Sequence, residues 1–210
     1  MKPILFNTAM VQAILEGRKT TTRRIIKDIE PFGKVLATPK GIFSKEGLAR
    51  HGQYHIGDIL YVRETWCDRW LPDGFLEGEE RYGYKADGEP SYGLWGNDSQ
   101  CKLEVWIPSI HMPKEAARIF LKVISVEVER LNEMTEDEAV KEGAEAGYLN
   151  ISGGPFGNDD DPQEWTALED FKDIWDSTIN KKDLNEYGWN ANPWVWVIEF
   201  ERIDKSEVEQ

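Results

Sequence analysis

The 210-residue sequence predicts an α+β fold built on a small, partly closed β-barrel, with flanking helices and long loop insertions. Three observations carry that expectation. Long runs of strand-like residues recur at 59–66, 120–131 and 194–203. Helical patterns fall between them singly, without the regular βα alternation that a doubly wound parallel sheet requires. The stretches at 68–100 and around Gly153-Gly154-Pro155 have weak periodicity and read as long loops, which in a compact domain are functional or mobile. Residues 1–204 are read as one domain with insertions at about 67–105 and 150–165, followed by a polar tail at 205–210.

Asn7 and Thr8 are placed to cap a short helix carrying Met10, Val11, Ile14 and Leu15 on one face, with Gly17 as its stop signal. The β-branched run Thr20-Thr21-Thr22 leads into a strand through Arg23-Arg24-Ile25-Ile26. Residues 28–56, punctuated by Gly and Pro, read as irregular connections with a hairpin. Gly57-Asp58 is a turn signal, and Ile59 to Trp66 alternates as a strand whose apolar face also carries Glu64. A hairpin is expected near Arg81 to Lys85. Phe120 to Leu131 is a second long strand whose apolar phase shifts between Val123 and Ile124, as at a bulge.

Met134-Thr135-Glu136-Asp137-Glu138-Ala139 is a capping box, with Thr135 at the N-cap, Glu138 at N3 and Met134 placed to staple onto Ala139. The helix it opens carries Val140, Lys141 and Glu142 and ends near Gly143 or Gly147. Asp161-Pro162, with Glu164 following, predicts the next helix start, and its apolar stripe is Trp165, Leu168, Phe171, Trp175 and Ile179. Trp194 to Ile203 is the last strand, apolar on both faces at first and therefore central.

The formal net charge is -14, yet Gly17 to Arg24 packs Arg18, Lys19, Arg23 and Arg24 among three threonines. Such a local inversion of sign suits an anionic or carbonyl-bearing ligand; the alternative is a solvated basic turn facing the chain's acids. Placed after the first helix, the cations would complement the negative end of its dipole. The acidic balance argues against an extended DNA duplex as partner, because duplex affinity comes from many Lys and Arg contacts to phosphate. No run is long enough to span a membrane and no signal peptide is legible, so the expected compartment is the cytoplasm. Cys67 and Cys101 are read as reduced and partly buried.

His51, His55 and His111 lack metal-ligand spacing, and no Walker, Gly-x-Gly-x-x-Gly or Gly-x-Ser-x-Gly pattern occurs, so neither a metal nor a cofactor is expected. Lys19 with its threonines remains. A Thr hydroxyl can attack an acyl carbon if a neutral amine takes its proton, and burial beside Arg18, Arg23 and Arg24 favours the neutral amine. On a regular strand Lys19 and Thr22 face opposite ways, so the pair requires Lys19 to sit in the turn.

Leu15-Glu16-Gly17-Arg18-Lys19-Thr20 with Thr22 and Arg24, followed by Ile56 to Trp66 and by Val197-Ile198-Glu199-Phe200, resembles the ASCH domain of the PUA-like β-barrel superfamily. Trp106 to Pro113 and Thr135 to Gly143 resemble the longer ASCH proteins of phages and prophages. The likeness covers about half the chain in order and spacing. It implies a barrel whose cleft binds single-stranded RNA, a nucleoside or a nucleotide. One ASCH branch removes the acetyl group of N4-acetylcytidine without metal, and another is assigned ribonuclease activity. The amidohydrolase pattern maps to Lys19, Thr22 and Glu142 as catalytic residues, with Arg24 matching a further Arg. Arg18, Thr20, Arg23, Arg24, Arg63, Glu64 and Trp66 complete the expected ligand-binding set. Ion pairing of Lys19 and Arg24 with Glu64 and Glu142 is the structural alternative, and association with phage relatives adds a morphogenetic role as a third class.

Overall fold

The side chain of Asn7 accepts a hydrogen bond from the Met10 N–H and so opens the first helix where the sequence places it. The computed structural model describes residues 1–32, 35–38, 40–68, 82–88, 106–149 and 163–208. Along the chain come β1 (Lys2–Leu5), α1 (Thr8–Leu15), β2 (Thr21–Ile25), β3 (Glu30–Phe32), β4 (Val35–Thr38), β5 (Gly41–Phe43) and α2 (Lys45–Ala49). Then follow β6 (Ile59–Arg63), β7 (Trp66–Asp68), β8 (Tyr82–Tyr84), β9 (Phe120–Arg130), α3 (Glu136–Lys141), β10 (Gly147–Leu149) and β11 (Gln163–Trp165). The chain closes with α4 (Ala167–Thr178), α5 (Leu184–Tyr187), β12 (Trp194–Ile203) and α6 (Lys205–Val208).

This is an α+β fold. Its largest sheet among the described residues is mixed and five-stranded, in the order β1-β6-β9-β12-β2, and the described strands form no closed barrel. The chain divides into two compact units, one of Met1–Gly17, Gly57–Val123 and Glu201–Gln210, the other of Arg18–Ile56 and Ile124–Phe200.

In the first unit β1 runs parallel to β6, Lys2 opposite Leu60 and Leu5 opposite Arg63, and β6 pairs antiparallel with Phe120 to Lys122 of β9. Ile4, Leu60, Val62 and Leu121 are fully buried. The expected strand from Ile59 to Trp66 breaks at Glu64. Its N–H turns to the Met112 sulfur instead of a ladder carbonyl, and Trp66 starts the separate hairpin β7–β8. Arg81 and most of both long insertions lie outside the described residues. The polar tail is not featureless: Asp204 N–H donates to Glu207, and Val208 packs against the cluster around Trp66, Tyr84 and Met112.

In the second unit β2 and β12 pair antiparallel, with Thr21 opposite Glu199, Arg23 opposite Val197 and Ile25 opposite Val195. Directly opposed residues share a face, so these line one side and Thr22, Arg24, Trp196 and Ile198 the other. The first side is covered by α3 through Ala139, by α4 through Phe171 and Trp175, and by Met134 just before α3, which pack with Val195 and Ile25. The second side carries Trp194 and Trp196 against Leu36 of β4 and Leu48 of α2.

Residues 28–56 hold more order than the sequence discloses. Strands of three or four residues are too short to show alternation, yet β3, β4 and β5 form a meander, and Ser44 caps α2 by accepting from the Gly47 N–H. The Thr135–Glu138 capping box forms as expected, with Thr135 N–H donating to Glu138 at 2.7 Å. The helix expected from Asp161-Pro162 starts later. Thr166 and Glu169 form a second capping box five residues on, and Trp165, assigned to the helical stripe, pairs in β11 with Gly147. Asp161 and Pro162 lie outside the described residues. β9 is continuous from Phe120 to Arg130; Ile124 is exposed, and burial changes phase between Val123 and Val128.

Candidate functional site

Lys19 precedes β2, in the turn between α1 and that strand, so the alternation of the strand does not fix its direction. That removes the obstacle strand alternation would raise to a Lys19–Thr22 pair, while the contacts of the Lys19 amine run to Glu142. Its side chain is fully buried, and Nζ donates to Glu142 Oε2 at 2.6 Å and to the Glu142 carbonyl oxygen at 2.7 Å. Glu142 is not in the middle of α3 but at its C-cap, with Gly143 beyond it at φ 90°. A glycine there relieves the Cβ clash of left-handed backbone, and the helix stops.

The end of α3 explains why the basic segment folds against it. The last carbonyls of a helix have no partner within the helix. Here Lys141 O accepts from Thr20 N–H at 2.9 Å, Glu142 O from Lys19 Nζ, and Gly143 O from Arg18 Nη1 at 3.1 Å. The sequence reading placed the cations at the end of α1; their side chains cap α3 instead. Arg18 remains more than a third exposed and reaches Glu145 at 3.1 Å.

Arg23 extends the cluster. Its side chain is fully buried, with Nε donating to Glu129 at 2.8 Å, Nη1 to Glu142 Oε1 at 3.3 Å, and Nη2 lying 3.6 Å from Glu138. Two cations, Lys19 and Arg23, thus meet three carboxylates. Glu129 and Glu138 escaped the sequence reading. Glu129 alternates onto the helix-covered face of β9, but its partner is remote in sequence, and Glu138 was assigned to the capping box, which it also serves.

Burial pushes the Lys19 amine below the ordinary lysine range; Glu142 pulls it back up, and Arg24 and Arg23 lower it further. The dominant cause is therefore lost hydration rather than the neighbouring cations. Glu129 is raised by burial, partly offset by Arg23. Arg24 shares its strand face with Trp196 and lies in the field of Tyr54, whose phenol burial raises. Thr22 is buried opposite Ile198.

Arg63, Glu64 and Trp66 belong to the first unit. Glu64 is 1% exposed and receives two bonds from Arg118, Nε and Nη2 each at 3.0 Å. Arg118 also bonds Asp87 at 2.9 Å and lies 3.9 Å from the centroid of the Tyr84 ring. Burial nevertheless raises the Glu64 carboxyl, with Arg118 pulling the other way. The acid on an apolar strand face signalled that a cation must meet it; nothing in the sequence picked Arg118. Arg63 donates to the carbonyls of Met112 and Ile110. Trp66 is buried edge-on against Tyr82, in the hydrophobic cluster that also holds Met112. Cys67 is a buried free thiol.

Among the described residues no group of His, Cys, Asp and Glu is arranged to hold a metal ion, and no helix is long and apolar enough to cross a membrane. Compared with family models, curated proteins and solved structures, the chain matches none.

Proposed function

We propose that the chain is an ASCH-type protein, with a PUA-like partly closed barrel, that takes a nucleoside or an unpaired RNA base at Lys19, Thr22 and Glu142 and hydrolyses an acyl amide on that base. The observation that carries the reading is the fully buried Lys19 amine, 2.6 Å from Glu142 and lowered by burial, three residues before a buried Thr22. A perturbed amine with a specific carboxylate partner is what proton transfer requires. The excess of carboxylates around Lys19 and Arg23 favours a neutral amide over a phosphate at this point.

In the proposed reaction Lys19 first passes its proton to Glu142, and Thr22 Oγ then attacks the amide carbonyl carbon while the neutral amine takes the hydroxyl proton. The C–N bond then breaks, and the departing base amine receives that proton. Water attacks the resulting Thr22 ester, Lys19 accepts the water proton and returns it to Thr22 Oγ, and the carboxylic acid leaves. Glu142 orients the amine throughout.

The test is hydrolysis of a panel of acylated nucleosides, N4-acetylcytidine included. Thr22→Val keeps the shape and removes the hydroxyl, so turnover should fall by at least about 100-fold with ligand binding nearly unchanged. Turnover that survives Thr22→Val, or that a chelator stops, overturns the mechanism. Binding without turnover in the unaltered protein would leave an RNA- or nucleotide-binding module.

A further inference from the structure

The meander and α2 line, with β2 and β12, an open cavity of about 380 Å³ that plays no part in the Lys19 chemistry. Its floor is apolar, made by Ile26 and Leu48, both buried. Aromatic rings form the walls: Trp196, Phe43 and His51. The Phe43 and His51 rings lie 4.6 Å apart at 42°. The backbone at Gly52 lies close against the indole, since a Cβ there would come within 3.2 Å of the Trp196 ring. This wall is therefore packed, not a chance gap between loops.

Lys27 and Lys40 stand at the same cavity, both exposed, and neither forms an ion pair among the described residues. In a chain of net charge -14 two lysines beside three aromatic rings form a distinctive pairing. Asp28 and Gln53 also line it, offering a carboxylate acceptor and an amide. Asp28 is held at φ 56°, a left-handed conformation uncommon outside glycine. Aromatic walls take a flat ring, lysines take an anion, and the carboxylate takes an amino group on the ring. The volume falls in the range of small-molecule sites, about 300–1,000 Å³.

We infer that this cavity binds a nucleoside phosphate with an amino-bearing base, stacked among Trp196, Phe43 and His51 with its phosphate toward Lys27 and Lys40. The ligand is either a free nucleotide or one unpaired residue of a single-stranded RNA, which present the same chemistry. The inference stands apart from the amidohydrolase reading, and loss of binding in variants of His51, Lys27 and Lys40, which lie outside the Lys19 cluster, separates the two.

Calorimetry with adenosine 5′-monophosphate, adenosine, inorganic phosphate and the RNA pentamer A5 tests it. Adenosine and phosphate alone should each bind at least about tenfold more weakly than the monophosphate, because each offers half of the recognised chemistry. Tighter binding of A5 identifies an RNA strand as the source, and equal or weaker binding a free nucleotide; either supports the site. His51→Ala should weaken the monophosphate by roughly 5- to 150-fold, the range of one lost stacking partner. Lys27→Ser with Lys40→Ser should remove most of the salt dependence that screening gives the unaltered protein. These side chains are exposed, so circular dichroism and the thermal midpoint should not move. No binding of either adenylate at millimolar concentration, phosphate matching the monophosphate, or affinity unchanged in both variants overturns the proposal.

Discussion

Replacing Glu142 by Gln keeps the shape of the side chain and removes the charge that Lys19 and Arg23 share. Both cations have fully buried side chains, and Glu142 itself is 3% exposed, so water cannot take the carboxylate's place. Breaking a buried pair from one side costs about 3–5 kcal/mol, since the remaining charge is left without compensation. Arg23 keeps Glu129 and Glu138, so most of the loss falls on Lys19. Urea unfolding followed by tryptophan fluorescence at pH 7 should show that loss as a lower midpoint with an unchanged slope. The pH dependence gives a second reading. The folded-state amine is already below its ordinary value of 10.5, so the unfolded chain binds more protons in the window between the two values and stability rises with pH there. Glu142 is the group that pulls the amine up; without it the folded value falls further, the window widens downward, and the deficit of Glu142→Gln shrinks as pH rises toward 10.5. Lys19→Met removes the buried charge, so the double variant should be less destabilised than the sum of the two single ones. A deficit under about 1 kcal/mol at pH 7, or strict additivity with Lys19→Met, would refute the claim that the pair is buried and mutually dependent.

Two further outcomes are expected. Glu64 has a raised folded value, so its contribution to stability is fully present below the unfolded carboxylate value of 4.5 and is lost as pH rises through the folded one. A carboxyl-carbon NMR titration should find Glu64 above the ordinary glutamate range, and Arg118→Met should move it higher still; a Glu64 that titrates normally contradicts the burial argument. Thr135→Ala removes one half of the capping box at α3, and chemical denaturation should register a loss of about 1 kcal/mol, whereas Thr135→Ser should retain most of the stability.

Where local chemistry decides the outcome, the sequence is legible. Asn7, Thr135 and Gly17 place helix ends because capping needs only neighbours a few residues away, and Trp194 to Ile203 reads as a central strand because it is apolar on both faces. Asp161-Pro162-Gln163-Glu164 misleads for the same reason. It carries a start signal as good as Thr166 to Glu169, and pairing of Trp165 with Gly147, a long-range event, decides between them. In the site, Lys19 and Glu142 meet, which the catalytic and the ion-pair readings of the sequence both expect, while no sequence signal points to Glu129 or Arg118 as partners. A strand shows which face a charge occupies, but the cation or anion that meets it comes from an element 54 to 106 residues away.

The basic octet is the clearest case of a charge pattern whose meaning depends on the fold. Read linearly, Arg18, Lys19, Arg23 and Arg24 form a cationic patch awaiting an anion. Folded, Arg18, Lys19 and the Thr20 N–H close the carbonyls of α3, while Lys19 and Arg23 face Glu129, Glu138 and Glu142. The surrounding potential at the amine is therefore not that of four cations, and electrostatic attraction for phosphate is largely cancelled where sequence alone puts it. A buried amine sharing its proton with a carboxylate suits a neutral, polarisable carbonyl, because such a ligand brings no charge to desolvate and needs only a base of lowered pKa. Lys27 and Lys40, unremarkable by motif, form no ion pair among the described residues and stand beside aromatic rings. The proposed capacity for an anion thus lies at Lys27 and Lys40, downstream of the segment whose composition announces it.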